Sequence, residues 1–221
     1  MLSIQTLNID KKDNLAVYNL NYPIITLNKE KTIINDINQK IYEDIIAFKT
    51  STEDILELMP RGNKQISYIN TEYYVSYNDN GIISIPIEFS QLDGLYSTSY
   101  INSYNYDINL EKEINLEDIF NSDIDYIKLI TNKIESRISE LEKELSIEKY
   151  IMVLDYLKDI ILCDNPDFCI CKDGIIICFS SYELDTSIPD ISTFKITFNE
   201  GRSYFSNYII ERVLGGFKED I

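Results

Sequence analysis

Apolar positions along this chain recur at two periods, and the places where one gives way to the other divide it into elements. After Asn28, a residue suited to cap a helix, Ile34, Ile37, Ile41, Ile45 and Phe48 follow at three- and four-residue steps. They predict an amphipathic helix running to about Leu58, ahead of Pro60-Arg61-Gly62. Residues 14–26 read before it as an extended strand ending near Pro23. Strands at 65–78 and 82–90 then flank Asn80-Gly81, a pair suited to a tight hairpin turn, and a third strand follows at 95–108 after Asp93-Gly94.

The second half opens on a turn at 109–112 and the segment 113–120. Ser122 is the expected cap of a helix whose Ile127, Ile130, Ile134, Ile138, Leu141 and Leu145 form one apolar stripe. A further helix is expected from Ser146, with Ile151, Leu154, Leu157 and Ile161 inward. A hairpin turning at Asp173-Gly174, a loop at 185–191, a strand at 193–198 and a short helix at 205–213 ended by Gly215-Gly216 complete the chain. Strands are grouped rather than alternating with helices, which predicts an α+β fold with antiparallel sheets. The grouping suggests two similar halves, 1–107 and 108–200, each a helix or helix pair on a small β-meander, with a helical tail at 201–221.

Composition narrows the chemistry. None of the 221 residues is histidine, and the formal net charge is −17. Histidine is the usual proton shuttle and the commonest metal ligand, so most hydrolase triads and zinc-hydrolase sites are out of reach. The negative field repels phosphate backbones and anionic lipid heads, which argues against nucleic acid and membrane surfaces and toward a basic protein partner. Solubility alone is an equal explanation of the charge. No apolar run is long enough to span a bilayer, and the first residues carry no signal-peptide pattern. The expectation is a cytoplasmic protein as the chain stands, or an extracytoplasmic one if an export segment was removed.

Cys163, Cys169, Cys171 and Cys178 lie close together. A turn at Asp173-Gly174 would place Cys169 opposite Cys178, close enough for a cross-strand disulfide. Reduced, buried thiols are the commoner outcome in a chain without an export signal. Their spacing matches no common zinc knuckle, and Asn121-x-Asp123-x-Asp125 fails as a calcium loop because Tyr126 stands where glycine is required. No metal or cofactor is expected.

Four ordered stretches carry a family likeness: Asn21-Tyr22-Pro23-Ile24-Ile25 with Ile34-Asn35-Asp36-Ile37-Asn38, then Tyr104-Asn105-Tyr106-Asp107-Ile108, then residues 114–120, then residues 173–184. They resemble the paired domains found in the extracytoplasmic part of RsiV, a lysozyme-sensing anti-sigma factor, and beside the catalytic domain of the peptidoglycan deacetylase PdaC. The resemblance implies a bacterial binding domain that recognises a protein or cell-wall-associated partner, with lysozyme and cell-wall glycan among the candidates. It does not imply deacetylase chemistry, which needs metal-binding histidines. The chain departs from the family at Gly94-Leu95-Tyr96-Ser97-Thr98 and at 185–191, where a small-residue-plus-histidine segment and a Tyr-Ala-x-Gly type loop are common.

The candidate partner-binding residues are Tyr96, Tyr100, Tyr182, Glu183, Asp185, Ser187 and Pro189. Tyr96, Tyr100, Tyr104 and Tyr106 share strand parity and could present four rings on one face. The commoner use of such a row is to cover a half-buried sheet face. The acidic run Glu111, Glu113, Glu117, Asp118, Asp123 and Asp125 could receive a basic partner, although such residues more often favour a helix N-terminus and solvent. The expectation is a non-enzymatic binding domain, with an acidic cytoplasmic immunity or inhibitor protein against a basic toxin as the alternative. An enzyme working with carboxylates alone ranks third.

Overall fold

The structure, a computed structural model, describes residues 2–28, 31–58, 66–94, 96–141, 166–178 and 193–215. The chain is α+β and divides into two compact units, Met1–Glu113 and Ile114–Ile221.

In the first unit, β1 (Ser3–Lys12) and β2 (Ala16–Thr26) form an antiparallel hairpin, with Leu7 opposite Tyr22. Helix α1 (Thr32–Leu58) follows and leads into β3 (Ser67–Tyr73). β3 pairs with β2 in parallel, Ala16 opposite Ser67 and Leu20 opposite Thr71, which is the one departure from the expected antiparallel arrangement among the described strands. β4 (Tyr77–Asp79), β5 (Ile82–Asp93), β6 (Tyr96–Asp107) and the two-residue β7 (Lys112–Glu113) complete a seven-stranded sheet. The order is β1-β2-β3-β5-β6-β7, with β4 also on β5. Asn80 and Gly81 make the turn the sequence predicts, both in the left-handed region (φ 50° and 79°).

The predicted apolar stripe of α1 is buried: Ile34, Ile37, Ile41, Ile45 and Phe48, continued by Leu56, join Tyr18, Leu20, Ile69, Ile85, Ile87 and Phe89 in one core. The helix starts at Thr32 rather than directly after Asn28, and the Ile34 N–H bonds to the Lys31 carbonyl. The span predicted as one strand at 65–78 is two, β3 and β4. Between them Tyr74 and Ser76 keep backbone bonds to Pro86 and Ser84 of β5, so the break is a bend rather than a loss of pairing.

The second unit contains α2 (Leu116–Ile119), α3 (Tyr126–Leu141), a three-stranded antiparallel sheet of β8 (Asp167–Cys171), β9 (Gly174–Cys178) and β10 (Thr193–Thr197), and α4 (Asn207–Leu214). Asp125, not Ser122, caps α3, its carboxylate accepting from the Lys128 N–H at 3.0 Å. Phe205 stacks on Phe120 at 5.5 Å and meets Phe198 edge-on at 4.8 Å, tying α2 to the segment that leads into α4. Ser206 caps α4 and donates to the Asp118 carbonyl, and Gly215 ends the helix at φ 77°. The helix expected at 146–161 lies outside the described residues.

The cysteine hairpin turns one residue earlier than expected. Lys172-Asp173 is the turn, Cys171 faces Gly174 and Cys169 faces Ile176, so Cys178 stands opposite Asp167 and not opposite Cys169. The reason lies outside the hairpin. A Cβ on Gly174 would sit 2.2 Å from the Ile196 carbonyl oxygen, so the glycine is consumed by the close approach of β10 rather than by the turn. Cys169, Cys171 and Cys178 are in no disulfide.

Candidate functional site

Register puts Tyr100, Tyr104 and Tyr106 of the β6 tyrosine row on one side of the sheet, opposite Phe89, Ile85 and Ile83. That side faces α1. Helix positions 40, 44 and 48 are one turn apart and meet the row in turn. The Lys40 ammonium lies 6.0 Å from the Tyr106 ring, the Tyr104 hydroxyl donates to Asp44 at 2.7 Å, and Phe48 meets the Tyr100 ring edge-on at 5.9 Å. Tyr100 also stacks flat on Phe89 at 4.9 Å. Tyr104 and Tyr106 are buried and Tyr100 is half-buried, so these three rings form a seam between helix and sheet and not an open platform.

Electrostatics along the seam follow from burial. Burial, and then the Asp44 carboxylate, push the Tyr104 phenol far above its ordinary value, so it stays a neutral donor. At the other end of α1, hydrogen bonds from Lys11 and Lys49 hold Glu53 below its ordinary value. Both ammoniums also lie over the Tyr18 ring, at 5.4 and 5.7 Å. In the second unit, burial raises the Cys171 thiol to about 11, and a hydrogen bond with Cys169 together with burial raises Cys178 further. Neither is an activated thiolate at neutral pH. Among the described residues no group of three Cys, Asp or Glu side chains could hold a metal ion.

Two features of the first unit escaped the sequence reading. β2 continues past the end of its pairing with β3, and Asn38 of α1 fills the gap: it accepts from the Ile25 N–H at 2.8 Å and donates to the Ile25 carbonyl at 2.9 Å. One side chain thus does the work of a strand. Beside it, Ile24, Leu27, Lys31, Ile34 and Asn35 border an open notch of about 260 Å³. Ile24, Ile34, Asn35 and Asn38 all belong to the first stretch that carried the family likeness.

The other feature is the sheet face turned away from α1. Register lines up Lys12, Val17, Tyr68, Leu92 and Ser97 in one row across five strands, with Asp10, Asn19, Asn70, Ser90 and Ser99 in the next. Tyr68 and Leu92 are 48% and 42% exposed, so this part of the face is open to solvent. Glu72 and Glu88 oppose each other directly on it, both exposed. The alternation Ser67-Tyr68-Ile69-Asn70 contained the signal, since Ile69 points inward and its neighbours outward. Of the seven candidate residues, Tyr100 is placed as described and Tyr96 opens β6 opposite Asp93. The Tyr96 ring and the whole of Tyr182, Glu183, Asp185, Ser187 and Pro189 lie outside the described residues.

The first unit is thus a seven-stranded sheet with one long helix across it, and the second a smaller α+β unit. Residues 9–94 match the family model described as deacetylase PdaC. The resemblance read from the sequence holds over these residues of the first unit. No curated protein matches the chain. Among solved structures, a member of the DUF3298 family from Bacteroides fragilis NCTC 9343 is similar with a TM-score of 0.58 and 13% identity, over 97% of this chain and 98% of that one. A DUF3298 family protein from Pseudomonas aeruginosa PAO1 is similar with a TM-score of 0.58 and 11% identity, over 94% and 95%. At these identities the likeness is one of fold, and it extends through both units.

Proposed function

We propose that the chain is a non-enzymatic binding module of the PdaC/RsiV accessory kind whose partner is a basic protein. The observation that carries this reading is the net charge of −17 in a chain without histidine. The exposed surface of the first unit agrees with it. α1 carries six acidic residues against two lysines, with Asp36, Glu43, Asp54 and Glu57 exposed, and the Glu72–Glu88 pair adds two carboxylates on the opposite side of the sheet. Such a field accelerates encounter with a cationic protein and weakens as salt screens it.

The test is retention of a panel of basic proteins, lysozyme among them, on the immobilised chain at low and at high salt. Retention of at least one, weakening as salt rises, supports the proposal. Failure of lysozyme alone removes lysozyme, and failure of the whole panel removes the basic partner. An inhibitor that neutralises a basic toxin or enzyme is a second reading resting on the same charge. It is distinguished by loss of the partner's activity on adding the chain in equimolar amount.

A further inference from the structure

The surface without an assigned role that is best defined by its backbone is the free edge of β1. Among the described residues no strand lies beyond Ser3–Lys12; Asn78 of β4 meets both backbone groups of Leu2 just before it, and Gln5, Leu7, Thr6 and Asn8 are exposed, the Thr6 hydroxyl in a hydrogen bond with that of Tyr73. Open edges of this length invite pairing and are usually guarded by lysine, proline or a bulge. β1 keeps unbroken register with β2 over ten residues and contains no proline, and residues 1–9 carry no charged side chain. Lys11, the nearest lysine, is drawn away into ion pairs with Glu53 and Asp13. Beside the edge stands an apolar ledge: Leu7 is 43% exposed, and Tyr42, in ring contact with the Tyr22 that pairs with Leu7, is 42% exposed.

We propose that this edge pairs with the same edge of a second copy, antiparallel, about a two-fold axis through Leu7. The axis sets Thr6 opposite the partner's Asn8, Gln5 opposite the partner's Ile9, and Ile4 opposite the partner's Asp10, so no carboxylate meets another. A two-fold perpendicular to the sheet keeps both α1 helices on one face, and the two Leu7–Tyr42 ledges then cover each other. Charge favours a copy of this edge over other meetings of two chains, because two molecules of net charge −17 repel wherever their acidic surfaces approach and least where this uncharged segment lies. A ladder this short buries less than a standard interface, so the dimer is weak and reversible. Its salt response is the reverse of that of a basic partner: screening the mutual repulsion strengthens it.

Sedimentation velocity on the full chain, across a concentration series at low and high salt, tests this. The expected result is a monomer–dimer equilibrium that shifts toward dimer as salt rises. Leu7→Lys places two ammonium groups on the axis and is expected to weaken association at least tenfold with an unchanged thermal melt. Tyr68→Lys, on the other exposed face, leaves association as it was. Should Leu7→Lys alter the melt, Gln5→Lys, also at an exposed position, serves in its place. Monomer at every concentration and salt, or a dimer indifferent to the lysine at position 7 or 5, overturns the proposal, and neither result touches the basic-partner reading.

Discussion

In the first unit β2 outruns β3, and a carboxamide from α1 closes the gap by meeting both backbone groups of Ile25. In the second, β9 and β10 come so close at Gly174 that no side chain fits between them. The two sheets solve one problem, satisfying strand backbone away from water, by opposite means. One inserts a polar group and the other removes a side chain. The first solution depends on chemistry and tolerates small shifts in position. The second depends on space alone and tolerates none.

Substitutions at the two sites test that contrast, and the largest effect belongs to the steric site. Gly174→Val is expected to cost about 3 kcal/mol, because the atom it must displace is a backbone carbonyl rather than a flexible side chain. Chemical denaturation of the full chain measures it, and a loss below a third of that would show that β10 can move. Asn38→Ala strands the N–H and carbonyl of Ile25 and is expected to cost about 2 kcal/mol, while Asn38→Asp keeps an acceptor for the N–H and loses the donor to the carbonyl. Equal losses for Ala and Asp would mean that Asn38 acts by shape and not by hydrogen bonding. Tyr104→Phe removes the donor to Asp44 at an expected cost of about 1.5 kcal/mol. Gly215→Ala separates space from backbone strain in the second unit: a Cβ there meets nothing within 4 Å, yet φ is 77°, so about 1 kcal/mol is expected.

The smallest effects come from pH and distinguish the first unit's polar contacts by sign. Glu53 is held below its ordinary value by Lys11 and Lys49, so its contribution is complete above pH 4.5 and is lost as pH falls through the lower folded value. Tyr104 is held above its ordinary value by burial, so its contribution is complete below pH 10 and declines as pH rises beyond it. Thermal melts of the chain and of Tyr104→Phe across both limbs check this. The variant should lose part of the alkaline slope and keep the acid one.

The sequence announces most of what repetition can announce. The isoleucine stripe of α1 and the Asn80-Gly81 turn are local patterns, and both stand where the pattern puts them. β1 is missed because an edge strand exposed on both faces has no reason to alternate. The cysteine hairpin slips because its glycine answers to β10, twenty residues on, and not to the turn beside it. For the tyrosines of β6, parity is legible and the covering helix is not. Period 2 says that four rings share a face, while only the packing of Asp44 and Phe48 says that the face is inward. Asn38 is illegible for a related reason, since nothing in its helical neighbourhood shows that a strand ends beside it.

The parallel seam between β2 and β3 has a kinetic consequence. Ala16 meets Ser67 across about fifty intervening positions, whereas β5 and β6 close a twelve-residue ladder over a loop of two. Loop entropy therefore favours β5–β6 as the early nucleus and leaves the β1–β2 hairpin to dock once α1 has formed. Amide exchange on the native chain should follow that history in reverse, with β1 and β2 opening at lower free energy than β5 and β6.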